Sequence, residues 1–187
     1  MMSNIDYICY IGRPSYQKNT FFLLDVIQRV KKLVPSVKFL LLGVGYYSPD
    51  LEQMKKRIDN EGLSDVIELL PWLDHSETLR YLQRSILYLT VSRYEGLPLS
   101  VLEAMSLGKA IISSDVVGNR DCINDGYNGY LLPFDADMFT KKVCYLVENV
   151  EERERMGHNS RMLYEQNFLI EKKISELEEI YVDMLRL

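Results

Sequence analysis

Residues 86–114 read ILYLTVSRYEGLPLSVLEAMSLGKAIISS, and this stretch decides the fold. Positions 86–91 are a short, largely apolar run rich in leucine, aromatic and β-branched side chains, the composition of a strand buried on both faces. A loop, SRYEGLP, follows. Pro98 is well placed as a first helical residue, because its φ is preset and its missing N–H is one that a helix start leaves unpaired anyway. Residues 99–107 have helical period, and 110–114 form a second apolar run. Strand, loop, helix and strand within 29 residues make a βαβ unit, whose two strands must run parallel.

The same alternation extends in both directions. Apolar runs at 7–11, 37–42, 66–70 and 129–132 read as further strands, and 20–33, 51–58 and 77–83 as helices, the first with Phe21, Leu24, Ile27 and Val30 on one side. The expected fold is α/β: a doubly wound, Rossmann-like parallel sheet of about six strands with helices on both faces. After residue 132 the pattern becomes all helical, through 135–150, 151–164 and 171–185, so 135–187 reads as a helical C-terminal tail. The segment ENVEERER at 148–155 is a solvated helix face. Ile170, Ile174, Leu177, Tyr181 and Met184 form one apolar stripe on the last helix, which needs a cover. Without an internal repeat, a low-complexity tract or a Pro/Gly/Ser linker, 1–187 reads as a single domain.

Composition narrows the class. With 187 residues, 47 % of them hydrophobic, the chain can bury a sizeable core, and a net charge of −5 argues against nucleic acid or an anionic membrane as main partner. Any anion needs a local basic pocket. The start has no signal-peptide pattern, and no run approaches the roughly 20 apolar residues of a membrane span. A cytoplasmic location is expected, with the inner membrane face as a peripheral site for a full enzyme. Cys9, Cys122 and Cys144 are too few and too scattered for a disulfide framework or zinc site.

In a doubly wound sheet, ligands bind in the loops after the strands. The first such loop, Gly12-Arg13-Pro14-Ser15-Tyr16-Gln17-Lys18-Asn19, sets two cations before a helix start, a phosphate-binding arrangement that a plain solvated loop also explains. Gly43-Val44-Gly45 after the second strand lacks the third glycine of a dinucleotide fingerprint and reads as a tight turn. In the quoted stretch, Glu95 stands at a strand's carboxyl end and Glu103 lies one to two turns into the next helix. Carboxylates only accept, so this pair suits the hydroxyls of a sugar and a ribose; helix capping by Glu95 and a solvated Glu103 are the plain alternative. Asp135-Ala136-Asp137 matches a metal motif but sits where a helix N-cap is expected. Asp74 to Glu77 has the look of a capping box, and His75 and His158, with no carboxylate or thiol at ligand spacing along the chain, read as structural.

Taken together, YIGRPSYQKN and SRYEGLPLSVLEAMSLGKAIISSDVVGNRDCINDGYNGYLL resemble the large retaining glycosyltransferases of GT-B fold that share a Glu-x7-Glu signature. The resemblance runs over nearly the whole chain and identifies it with their C-terminal, donor-binding half. It implies a nucleotide diphosphate sugar as donor substrate, with no metal or other cofactor. Glu95 would contact the sugar hydroxyls and Glu103 the ribose. Arg13 and Lys18, following Gly12, would hold the diphosphate, helped by the amides of Gly96 and Leu97. Pro71-Trp72-Leu73 would meet the base, although Pro71 stands where the family often has glycine and removes one N–H; Trp72 serves for stacking or for packing. It further implies an acceptor saccharide or lipid-linked saccharide, of the kind used in polysaccharide or glycolipid synthesis, bound by an N-terminal domain absent from these residues, so that the isolated chain would be inactive. The last helix would pack toward that domain or drive self-association. Two rivals share the features: a non-catalytic nucleotide-sugar-binding subunit of a split or regulatory complex, and another GT-B activity such as a phosphorylase or epimerase.

Overall fold

The structure is a computed structural model describing residues 7–45 and 47–185. The apolar runs become six strands, β1 (Tyr7–Ile11), β2 (Lys38–Leu42), β3 (Ile67–Leu69), β4 (Leu87–Thr90), β5 (Ile111–Ser114) and β6 (Gly129–Leu132). They form one sheet of order β3-β2-β1-β4-β5-β6, every pair parallel. β1 is thus the strand from which the chain winds outward in both directions. The gap between the ends of β1 and β4 is the topological switch point, where the flanking loops diverge and leave a crevice.

Side-chain alternation divides the core between the two faces. Ile8, Tyr10, Phe39, Leu41, Leu87, Leu89 and Ile112 point to one face, covered by α1 (Thr20–Leu33), α2 (Leu51–Asn60) and α6 (Ala136–Glu148). Tyr7, Cys9, Leu40, Leu42, Tyr88 and Ile111 point to the other, under α3 (His75–Arg84) and α4 (Leu99–Ser106). The fourteen-residue α1 spans the predicted bounds, whereas α2 and α3 begin or end two residues or so beyond them. A four-residue helix, α5 (Val117–Arg120), was not anticipated, because one helical turn is too short to show a period.

The C-terminal helices are more than a tail. Phe139, Val143 and Leu146 of α6 and Met156 of α7 (Val150–Asn167) are fully buried in the first core, while Leu163, Tyr164 and Phe168 pack against the second, so α7 crosses from one face to the other. Asp135 accepts from the amides of Asp137 and Met138 at 2.8 and 3.1 Å, which makes it the N-cap of α6 and accounts for the apparent metal motif. Only α8 (Ile170–Leu185) stands apart, with Ile170, Ile174, Leu177, Tyr181 and Met184 all exposed. Among the described residues no helix is long and apolar enough to cross a membrane.

Where α7 passes the turn between α4 and β5, Gly157 lies against the backbone of Gly108. A Cβ at Gly157 would overlap the Gly108 carbonyl oxygen, and backbone cannot swing aside as a flexible side chain can. Gly157→Ala is therefore expected to lower unfolding stability by about 1–3 kcal/mol, the usual cost of overpacking. Urea unfolding followed by circular dichroism measures this, with Gly62→Asn, a residue type that tolerates the left-handed φ of 62° in open space, staying close to the parent.

Candidate active site

Two loops face each other across the switch point. The first leaves β1 at Gly12 and turns through residues 13–19 into α1; the second leaves β4 and runs through residues 91–98 into α4. They are stitched together by the Arg93 amide, which donates to the Gln17 carbonyl at 2.8 Å, and by Gln17 Nε2, which donates to the Tyr94 carbonyl at 3.4 Å. The Arg93 guanidinium also lies over the Tyr16 ring, 4.5 Å from its centre.

At the centre of this seam, Lys18 Nζ donates to Glu95 Oε1 at 2.7 Å, the side chains being 19 % and 9 % exposed. Gly12 makes the contact possible. A Cβ there would come within 3.2 Å of Lys18 Cδ and 2.9 Å of the Tyr10 hydroxyl, so glycine leaves room for the lysine stem to cross the strand end. Burial, and next the Glu95 carboxylate, hold the Tyr10 phenol far above its ordinary pKa. Tyr10 is therefore a neutral donor, and its hydroxyl reaches the Lys18 carbonyl at 3.4 Å. Arg13, the other cation of the loop, is exposed and has no side-chain partner among the described residues. It lines an open cleft of about 690 Å³ with Tyr16, Gln17, Ser48 and Tyr94.

Glu95 does not cap α4. The N-cap position belongs to Pro98, one residue earlier than expected for it, and no side chain caps the helix. The amides of Gly96, Leu97 and Leu99 consequently donate to none of the described residues, and the open space beside Gly96 is wide enough that a Cβ would meet nothing within 4 Å. Leu97 is exposed. Glu103 lies on α4, tethered to the sheet by the buried Tyr88, whose hydroxyl donates to Ser100 Oγ at 2.8 Å.

Trp72 and Leu73 belong to the loop between β3 and α3. Leu73 packs against the second core, but Trp72 is 82 % exposed, so packing does not explain it. The next element brings this loop to Glu103, because His75 Nε2 lies 2.9 Å from Glu103 Oε1. The reading of His75 as structural did not include this contact. The expectation considered carboxylates near it in sequence, and its partner is 28 residues away on a neighbouring helix.

Sequence reasoning also missed α5. Its Gly118 donates to the Glu95 carbonyl at 3.3 Å, and a Cβ on Gly118 would overlap the carbonyl oxygen of Gly96. Behind it, the fully buried Ser92, Ser114 and Asn119 lock β4 to β5: Ser114 Oγ donates to Ser92 O at 2.6 Å and Asn119 Nδ2 to Ser114 O at 2.9 Å. The glycine in VVGNRD was the available signal. All three cysteines are free thiols, and burial raises the pKa of Cys9 strongly and that of Cys122 to about 11. Neither is a nucleophile at neutral pH. Among the described residues no three His, Cys, Asp or Glu side chains cluster as a metal site would require.

Residues 3–162 match the sequence profile of a family described as Glycosyl transferases group 1. The chain belongs to that glycosyltransferase family. It is 30 % identical over 176 residues to an uncharacterized glycosyltransferase of Methanocaldococcus jannaschii, covering 93 % of this chain and 44 % of the relative. It is likewise 30 % identical over 188 residues to a trehalose synthase of Pyrococcus horikoshii, covering 95 % and 43 %. Among solved structures, the pneumococcal O-GlcNAc transferase GtfA in complex with UDP and GlcNAc superposes with a TM-score of 0.83 at 25 % identity, covering 96 % of this chain and 36 % of that one. This glycosyltransferase chain thus spans less than half the length of these relatives, and its sheet with its helical layers and C-terminal helices is the GT-B kind of Rossmann-like fold.

The ion pair at the seam gives a direct measurement. Lys18→Ala leaves a largely buried carboxylate without its partner and should destabilise the fold by about 1–3 kcal/mol. Adding Glu95→Ala should recover part of that loss, a coupling of roughly 0.5–3 kcal/mol in a double-mutant cycle of chemical denaturation. Strict additivity of the two substitutions would mean that the contact contributes nothing.

Proposed function

We propose that the chain is the donor-binding half of a retaining glycosyltransferase, moving a sugar from a nucleotide diphosphate to a saccharide or lipid-linked saccharide acceptor. The observation that carries this reading is the Lys18–Glu95 pair at the switch point, with amides at Gly96 and Leu97 beside it that have no partner among the described residues, and Glu103 on the helix that follows. Each half of the pair suits a different half of the donor. Glu95 can only accept, as sugar hydroxyls require, and Lys18 can only donate, as a diphosphate requires. In the free chain they satisfy each other; donor binding replaces one ion pair by two charge-assisted contacts. Glu103 accepts from the ribose, and the exposed Trp72 offers a face on which a base stacks.

The chemistry asked of these residues is electrostatic. As the glycosidic bond opens through an oxocarbenium-like state, the leaving diphosphate gathers negative charge. Arg13, Lys18 and the amides before α4 stabilise that charge without moving a proton. In this reading the two cations do the work for which other transferases recruit a metal. The acceptor site and the wall that excludes water belong, in this reading, to protein other than these residues, which the greater length of the relatives supports. The GtfA structure, solved with UDP and GlcNAc, is the reason to start with uridine donors.

Titration calorimetry of the chain with UDP, GDP and ADP tests the proposal, and one of the three should bind. Glu103→Ala should weaken that binding by about 1.5–3 kcal/mol, the range for hydrogen bonds to a charged group. Arg13→Ala should weaken diphosphate binding but not nucleoside binding, and rising salt should mimic it. No heat with any nucleotide, or equal losses for nucleoside and diphosphate, would overturn the assignment. In a transfer assay the chain alone is expected to bind donor with negligible turnover, since proximity and water exclusion both need the opposing wall. Robust turnover by these residues alone would contradict that part of the proposal.

A further inference from the structure

The side-chain hydrogen-bond partner of His75 among the described residues is Glu103, and His75 is held where it can reach it. Asp74 is the N-cap of α3, accepting from the Glu77 amide at 2.8 Å and from Ser76 Oγ at 2.8 Å, while Thr78 Oγ1 donates to the Asp74 carbonyl at 2.9 Å. Leu73, on the other side, is packed into the core. The backbone at position 75 is therefore fixed from both directions, although the ring itself is largely solvated. Its partner is a carboxylate that can only accept, so the contact assigns the proton to Nε2. One oxygen of Glu103 is thereby engaged, and the other has no partner among the described residues.

An exposed hydrogen bond of this kind adds little to stability, since both groups are well hydrated when apart. Its position gives it another use. Glu103 is a long side chain on α4, 26 % exposed, and without a tether it samples several rotamers. Ordering it on ligand binding costs side-chain entropy each time. We propose that His75 is a positioning residue, which fixes one carboxylate oxygen of Glu103 so that the other is presented to the ribose hydroxyls of the nucleotide. This rests on the donor-binding reading above. It adds that the loop carrying Trp72 and the helix carrying Glu103 act as one unit, so that base and ribose are recognised together.

The test compares UDP, GDP and ADP with their 2′,3′-dideoxy counterparts, by calorimetry on the intact chain. For the nucleotide that binds, His75→Ala should weaken the ribonucleotide about three- to tenfold, the scale of one net hydrogen bond, and leave the dideoxy form unchanged. His75→Gln, whose amide N–H can reach the same carboxylate, should recover most of the loss. Glu103→Ala should abolish the preference for the ribonucleotide altogether. If parent and Glu103→Ala behave so but His75→Ala keeps the full preference, the positioning role is wrong and the donor site stands. An equal loss on both nucleotide forms would likewise overturn it, since that marks a merely structural residue. If the parent binds none of the nucleotides, or Glu103→Ala keeps the preference, the ribose site itself falls and the role of His75 with it.

Discussion

The contact on which the site depends is the ion pair between Lys18 and Glu95, because it spans the one place where a doubly wound sheet cannot close. β1 and β4 are neighbours with parallel backbones, yet their following loops depart in opposite senses, and nothing in the sheet's hydrogen bonding holds those loops together. The work falls to side chains and loop amides. Gly12 gives the lysine stem its path, the Gln17 carbonyl takes the Arg93 amide, and Tyr16 supports the arginine side chain. In this arrangement a cation and an anion of opposite recognition chemistry are stored side by side in the free chain. A crevice lined by one sign of charge alone would repel itself when empty; this one is internally neutral at its centre.

Around that pair the structure is built by close backbone approach. The turn at Glu95 and Gly96 has few contacts of its own, and α5 supplies the support by bringing Gly118 against it. Ser92, Ser114 and Asn119 bury their polar groups behind this contact. Most of those groups are paired, but Asn119 Oδ1 has no partner among the described residues, and a buried, unpaired oxygen is costly. Its amide nitrogen fixes the end of β5, which ties the four-residue helix to the strand before it. The geometry of Glu95 thus depends on a segment more than twenty residues further along the chain.

The parts legible from the sequence were those set by periodicity and by strand-end position. Six apolar runs gave six strands, and the loops after the first and the fourth stood out by their cations and carboxylates, since ligands of such sheets bind at strand ends. The N-cap role of Asp135 was legible too, since it depends only on the next two or three residues. What could not be read was long-range pairing. Neither Lys18 with Glu95, 77 residues apart, nor His75 with Glu103 leaves a mark in composition or spacing. Trp72 illustrates the same limit, because the choice between a packed and an exposed indole is made by which helix covers β3. The all-helical end shows the reverse: as a tail it was legible, but the burial of Phe139 and Met156 makes α6 and α7 part of the core.

Net charge sharpens the physical problem that this site solves. A chain of −5 offers a diphosphate no favourable field at a distance, and at physiological salt charges more than about 8 Å away are largely screened in any case. Recognition must therefore be local. Arg13 is exposed and has no side-chain partner among the described residues, and the amides of Gly96, Leu97 and Leu99 are fixed dipoles that require no counter-charge. Lys18 is different, because its charge is already matched by Glu95 and becomes available only when something else satisfies the carboxylate. A bare phosphate can draw on the arginine and the amides, but only a ligand that brings hydroxyls for Glu95 as well can release the lysine at low cost. On the proposed donor-binding reading, the pairing of those two side chains favours a sugar attached to a diphosphate over a diphosphate alone.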